Sequence, residues 1–365
     1  MIRLLWLLCF GLSCLSALLF PHPVLLSGAS AFLLAPLISW LCLLPCRKKA
    51  RLCLQAPAVA SKGQPFCLEL HMAGKSVAIG SVSVRLRLHN LSTGQQTLSR
   101  LCFRDAGSAE LCSDYCGCVV CEVTRVWAWD VFGIFPMPLV TRGKKRILVM
   151  PDTFPVEPEH CIPPGLADSC TEYAPDRRGT DRTETFQIRE YVPGDPLQQI
   201  HWKLSSKWDK LTVREPAQPL DRELTIFLEQ SGQRTPAQTD GLLEAVASVC
   251  QAFAENGIPF RLAWNGESIQ FFEVTGREQL PEAIGALLKA ERCPTGLSGT
   301  ALCRNSGRAA MTGYVLYFCA QWEEDPFPWA NTRIFLCGEG EHHPATVFTP
   351  ENAPEVFKGL SFFQE

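Results

Sequence analysis

From Leu4 to Phe20 the chain is apolar and uncharged, Pro21-His22-Pro23 interrupts, and a second uncharged apolar run extends from Val24 to Leu44. At roughly 17 and 21 residues, both runs approach the ~20 that a helix needs to cross a ~30 Å hydrocarbon layer. The pattern predicts a two-helix transmembrane hairpin over residues 1–46. Val24 onwards stays apolar where a cleaved signal would give way to polar sequence, so the first run does not read as a signal peptide. Arg47, Lys48, Lys49 and Arg51 follow the second run, Arg3 precedes the first, and the connector holds only His22. Basic flanks stay inside, which places both ends of the hairpin, and the soluble domains after it, in the cytoplasm. Neither run carries an acidic or basic side chain, so the hairpin reads as an anchor in the bilayer and not an ion path.

Between residues 47 and 150 the period changes to two. In Ser81-Val82-Ser83-Val84-Arg85-Leu86-Arg87-Leu88 every second residue is apolar, as on a half-buried strand, and Asn90 to Gly94 and Asp105 to Ser108 supply turns. This predicts a small antiparallel β-sandwich. Residues 151–215 read as a connector: prolines and acidic residues from Pro151 to Pro175, then a polar block. From 216 to 365 strands and helices alternate. Leu224 to Leu228 is a strand, and Thr235-Pro236 opens a helix with Leu242, Leu243, Val246, Val249, Cys250 and Phe253 on its apolar face. Phe260 starts another strand, Ser268 to Val274 pairs as the next, a helix near Pro281 carries Ile284, Leu287 and Leu288, and Tyr314 to Cys319 and Arg333 to Cys337 are further strands. Fully apolar strands alternating with helices imply an α/β doubly wound sheet covered on both faces.

The 365 residues are 47% hydrophobic and 19% charged, which suits two or three packed domains and excludes wholesale disorder. With 34 Lys+Arg against 37 Asp+Glu, the net charge of -3 gives no general attraction to nucleic acid. The eighteen cysteines lack the regular spacing of a secreted disulfide scaffold and suit a reducing compartment.

The stretch of densest chemistry runs from Glu184 to Lys207 and combines charge, aromatic rings and the turn Pro193-Gly194-Asp195. Read as alternating strand, Ile200 and Trp202 oppose His201 and Lys203, and the ions cross-pair about a partly buried tryptophan. Glu184, Arg189, Tyr191, Gly194, Asp195, Ile200, Trp202, Lys203, Ser205 and Lys207 resemble the signature of the bacterial membrane-anchored family of domain of unknown function 58: Glu, then Arg-x-Tyr-x-x-Gly-Asp, then Ile-x-Trp-Lys/Arg-x-Ser-Ala-Arg/Lys. Trp129-Asp130-Val131-Phe132-Gly133-Ile134-Phe135 is similar to that family's Asp-Pro-Phe-Gly-Leu-Phe strand end. Gln198 and Gln199 stand where the family often has arginine, and Ser206 replaces the usual alanine.

The resemblance implies a von Willebrand factor A-like carboxy-terminal domain and a MoxR-type AAA+ ATPase as protein partner. In that fold an Asp-x-Ser-x-Ser loop holds a divalent cation through oxygen ligands. Here the loop reads Glu229-Gln230-Ser231-Gly232-Gln233, and Cys319-Ala320 occupies the later Ser-Asp position, so Glu229 and Ser231 form a degenerate site and neither metal nor other cofactor is expected. Cys112, Cys116, Cys118 and Cys121 are a rival metal cluster. Their spacing is not a paired knuckle, and strand alternation sets Cys116, Cys118 and Val120 against Cys121, which favours packing over zinc. An enzymatic reading makes Glu184, Asp195 and His201, with Lys203, acid and base groups of a metal-dependent or hydrolytic membrane enzyme. No nucleophile elbow, phosphate loop, HExxH helix or dinucleotide fingerprint supplies the rest of such a reaction. The sequence therefore favours a non-catalytic membrane-tethered interaction or scaffold protein.

Overall fold

The computed structural model describes residues 2–20, 22–45, 47, 50–73, 79–140, 143–156, 173–219, 224–290, 296–306, 313–321, 326–340 and 344–358. Contacts within the chain define two units, one of residues 1–153, 234–247 and 284–294, the other of the remainder.

In the first unit, α1 (Ile2–Leu19) and α2 (Pro23–Leu41) pack on each other. Pro23 at the start of α2 suits a first turn whose N–H groups lack intrahelical partners, and His22 Nδ1 accepts the Val24 N–H at 3.3 Å. Helix α2 is long and apolar enough to cross a membrane, with a mean hydropathy of 1.9, whereas Leu5–Leu19 of α1 is a shorter apolar stretch. Of the basic flank, Arg47 and Arg51 are exposed, while Lys48 and Lys49 lie outside the described residues.

Two sheets follow. One has the order β1-β3-β6, from β1 (Arg51–Gln55), β3 (Phe66–Ala73) and β6 (Ala106–Leu111). The other runs β2-β9-β7-β4-β5, from β2 (Val59–Ser61), β9 (Lys144–Met150), β7 (Gly117–Asp130), β4 (Ile79–Asn90) and β5 (Gln96–Phe103), with β8 (Pro136–Leu139) also on β7. The alternation predicted for Ser81–Leu88 falls in β4, where Val82, Val84, Leu86 and Leu88 are buried and Arg85 and Arg87 exposed but Ser83 is buried as well, and β3 alternates in strict turn. Leu52, Leu68 and Leu70 of one sheet share a core with Val82, Val84, Leu86 and Val126 of the other. The pairing is antiparallel except for β2 on β9, which is parallel.

In the second unit, β10 (Tyr173–Glu190) and β11 (Thr212–Pro219) form a two-stranded antiparallel ribbon, and α3 (Trp202–Trp208) lies between them in sequence. The stretch read as a connector, residues 151–215, therefore carries β10, α3 and the start of β11 from Tyr173 onwards. Pro151 to Val156 do lack regular structure, while 157–172 lie outside the described residues. The ribbon escaped prediction because charge and proline mask any period in it.

The remaining sheet is β14-β13-β12-β15-β16-β17. Its strands are β12 (Leu224–Leu228), β13 (Phe260–Asn265), β14 (Ile269–Val274), β15 (Tyr314–Cys319), β16 (Asn331–Cys337) and β17 (Thr346–Phe348). All neighbours are parallel except β13 with β14, so one edge is antiparallel. Along the chain these strands alternate with α4 (Pro236–Glu255), α5 (Leu280–Lys289), α6 (Gly299–Ser306) and α7 (Ala353–Lys358). The central strands β12 and β15 are buried at nearly every position, as a sheet covered on both faces requires. The strand order reverses between β12 and β15, and a crevice at such a switch point is the usual place for a ligand in this architecture.

Candidate functional site

The signature residues divide into a fixed half and a displayed half. Arg189, near the end of β10, donates from Nη1 to Asp195 Oδ2 and from Nη2 to Asp195 Oδ1, both at 2.7 Å, and from Nε to Glu215 Oε1 at 2.5 Å. This is the bidentate fork that a planar guanidinium makes and an ammonium cannot. The Glu215 side chain is only 4% exposed, and Gln187 Nε2 donates to its other oxygen at 2.7 Å. Its hydrogen bonds to Asp195, then to Glu215, hold the Arg189 guanidinium above its usual range. Asp195 also accepts the Val192 N–H at 2.9 Å and closes a turn in which Gly194 has φ of 113°, a conformation that side chains rarely adopt.

Ile200 is buried and bridges to Val213. Ser205 is buried too: its Oγ accepts the Thr212 N–H at 2.9 Å and lies 3.1 Å from Thr212 Oγ1, which pins α3 to β11. Tyr191 is half-buried, and its N–H donates to the Leu211 carbonyl at 2.8 Å. The backbone of Glu184 lies in β10, and its side chain is outside the described residues.

The displayed half departs from expectation. Trp202 does not sit partly buried on a strand; it opens α3 and is 66% exposed, with Trp208 at 53%. Lys203 and Lys207 are exposed on the same helix, so among the described residues no ion lattice closes around the tryptophan ring. The cause is local: His201 caps the helix start, and Asp209, in the left-handed region at φ of 52°, ends it after seven residues. Helices this short leave little periodic signal. His201 is also drawn by Arg214, whose Nη2 lies 2.5 Å from its Nε2. A neutral imidazole has one acceptor nitrogen, so this contact competes with the 3.4 Å approach of the Leu204 N–H to Nδ1.

At the switch point, Glu229 is 5% exposed and surrounded by donors. It accepts from the Ser231 N–H at 3.0 Å, the Gly299 N–H at 2.8 Å, the Tyr317 hydroxyl at 2.9 Å and Asn265 Nδ2. The two backbone N–H groups and the Asn265 amide nitrogen have no lone pair to give a cation, so most of what faces Glu229 is built to hold a carboxylate and not to complete the oxygen shell of a divalent ion. Sequence reasoning identified Glu229 and Ser231 but missed Tyr317, Asn265 and Gly299. A tyrosine inside an otherwise apolar strand was the available signal.

The thiols do not assemble. Cys112 is exposed, whereas Cys116, Cys118 and Cys121 are buried, and every residue from Gly117 to Cys121 is buried instead of alternating. Burial holds the Cys116 thiol well above its usual value, with the charges of Asp240 and Glu244 adding to it, and pushes Cys121 up to about 11. Protonated thiols are poor metal ligands and poor nucleophiles. Among the described residues no cluster of three or more His, Cys, Asp or Glu could hold a metal.

One ion cluster of the first unit had no counterpart in the sequence reading. Lys62 Nζ lies 2.5 Å from Asp240 Oδ2 and 2.6 Å from Glu244 Oε1, and Asp240 Oδ1 accepts the Cys116 N–H at 2.7 Å. Burial lowers the Lys62 pKa, but the two hydrogen bonds and charges outweigh it, and the net shift is upward. Burial raises Glu244 despite the pull of Lys62. The i, i+4 spacing of Asp240 and Glu244 was visible; the lysine, distant in sequence, was not.

Comparison with known proteins adds no family. No family model matches the chain, and no curated protein does. Among solved structures, it is similar to a superoxide reductase (neelaredoxin) from Ignicoccus hospitalis at 12% identity and TM-score 0.21, covering 28% of this chain and 81% of that one. A cohesin module from Clostridium perfringens matches at 10% identity and TM-score 0.20, over 27% of this chain and 96% of its own. An alkylpurine DNA glycosylase from Pseudomonas fluorescens matches at 15% identity and TM-score 0.18, over 38% and 42%. Likenesses this low bear on neither fold nor activity.

Proposed function

We propose that the chain is a non-catalytic, membrane-tethered interaction protein of the domain of unknown function 58 family. It works with a MoxR-type AAA+ ATPase and other membrane proteins, with its soluble domains in the cytoplasm. The observation that carries this reading is the contrast within the signature stretch: Arg189, Asp195 and Glu215 lock the base of an arm on which Trp202 and Trp208 stand open to solvent. Exposed tryptophan on a held element, with basic side chains beside it, is the composition of a protein-docking surface, where aromatic anchors dominate binding energy. Val192 and Leu211, 57% and 48% exposed, extend the apolar area.

Two further features support the same reading. Both carboxylate oxygens of Asp195 are engaged by Arg189, which leaves it unsuited to take up a proton as a general base. An antiparallel edge strand, two parallel strands, a switch and three more parallel strands agree with a von Willebrand factor A-like domain that has lost its cation. The hairpin of α1 and α2 then serves as the anchor, with Arg47 and Arg51 on the inner side.

The test is capture of a MoxR-type ATPase by the full-length, detergent-solubilised protein. A Trp202→Ala/Trp208→Ala variant should lose at least ten-fold of the captured ATPase while melting as wild type does. Undiminished capture by that variant would remove the arm as the docking surface.

A further inference from the structure

The turn that closes β7 sits against the helical hairpin. Val131 and Phe132 line an apolar cleft of about 550 Å³ together with Trp6 of α1 and Ala31, Phe32 and Ala35 of α2. The Val131 N–H also donates to Ser39 Oγ of α2 at 3.3 Å. Phe32, Ala35 and Ser39 precede the end of α2 at Leu41 by nine, six and two residues. At ~1.5 Å per residue, the turn therefore meets α2 roughly 3 to 14 Å inside the apolar stretch, not beyond its end.

The turn is built for such a depth. Val131, Phe132 and Phe135 are 53%, 39% and 39% exposed, with no acidic or basic side chain from Val131 to Leu139. Backbone N–H groups placed in hydrocarbon need internal acceptors. Here Asp130, fully buried, accepts the N–H groups of Phe132 at 3.2 Å and of Ile134 and Phe135 at 2.7 Å, while the Gly133 N–H donates to the Asp130 carbonyl at 2.8 Å. The polar atoms thus point inward and the apolar side chains outward.

We infer that the Val131–Phe135 turn is inserted in the membrane, with its exposed side chains and the cleft beside α1 and α2 occupied by lipid acyl chains. The occupant follows from continuity: the cleft is lined by apolar side chains of the same two helices whose outer surfaces meet the bilayer. The inference rests on the proposal that α2 spans a membrane. It adds a second attachment, which fixes the β-sheet unit at the bilayer surface instead of leaving it on a free tether.

Photo-crosslinking tests it. A benzophenone amino acid replaces Phe132, Phe32 or Leu98 in the full-length chain, in vesicles of phosphatidylethanolamine and phosphatidylglycerol, and mass spectrometry reads phospholipid adducts. Leu98 is 66% exposed on β5, opposite Arg87, which lies eight residues along β4 from the Ile79 that pairs with Asp130, so roughly 26 Å away. Positions 32 and 132 should form adducts at comparable yield, with less than a tenth of that at position 98. Adducts at 32 with position 132 as low as 98 would overturn the inserted turn and leave the anchor standing. No adduct at either 32 or 132 would overturn the anchor and the turn together.

Discussion

Two turns of this chain are each organised by one aspartate, and they solve the same problem differently. Asp130 is fully buried and accepts hydrogen bonds from the backbone N–H groups of its own turn. Asp195 is partly exposed and is held by the fork of Arg189. Backbone dipoles add no net charge to balance the carboxylate, but they tolerate an apolar exterior, and the side chains around Asp130 are Val131, Phe132 and Phe135. An arginine clamp keeps its charges near water, and the side chains beyond Asp195 are tryptophans interleaved with Lys203 and Lys207. The first suits lipid, the second a protein with acidic groups on its surface.

Substitutions that break this contrast should differ most in stability. Asp130→Ala leaves three N–H groups without their acceptor and should lose on the order of 3 kcal/mol in denaturant unfolding in detergent. Asp130→Asn keeps one carbonyl oxygen and should lose roughly half as much. If both variants unfolded as wild type does, water would be satisfying the turn, and the carboxylate would not be what organises it.

Lys62→Met comes next, because it removes the ammonium that bridges Asp240 and Glu244. Discounting for an ammonium still partly in water, the expected loss is about 1 to 2 kcal/mol. The Lys62 pKa is raised from 10.5, so the stability it adds is fully present below that value and is lost only as pH rises beyond it. The gap between wild type and variant should stay flat from roughly pH 7 to 9 and narrow in stronger alkali. A gap that closed near neutrality would mean that another group titrates the cluster.

Trp202→Ala and Trp208→Ala should each change stability by less than about 0.5 kcal/mol, since exposed side chains lose little packing. This reverses what a buried tryptophan at position 202 would imply. The smallest effect concerns metal. Melts with EDTA and with millimolar Mg²⁺ or Ca²⁺ should coincide, because a cation binding only the folded state at a hundred times its Kd would add about 2.7 kcal/mol. A rise with either ion would show that the donors around Glu229 can turn away.

The chain's alternating α/β half was legible because its central strands are almost unbroken apolar runs and its longest helix repeats an apolar face. Leu224–Leu228 and Tyr314–Cys319 match their predicted limits, and the helix opening at Pro236 carries the predicted apolar face. What escaped depends on contacts that no window contains. The Trp202–Trp208 helix is set by caps and by the Ser205–Thr212 pair, not by a period. Glu229 looked like a weakened metal ligand because the donors that surround it, Asn265, Gly299 and Tyr317, come from distant segments. The Trp129–Phe135 motif was visible as a pattern, yet only the fold showed its aspartate turned inward and its phenylalanines outward.

The most direct measurement sets the two surfaces side by side. Capture of the MoxR-type ATPase is compared for wild type, Trp202→Ala/Trp208→Ala and Phe132→Ala, all full-length and at equal amounts. The tryptophan pair should reduce capture at least ten-fold and Phe132→Ala should leave it unchanged. Equal losses in both variants, or none in the tryptophan pair, would contradict the assignment of the arm to protein and the turn to lipid.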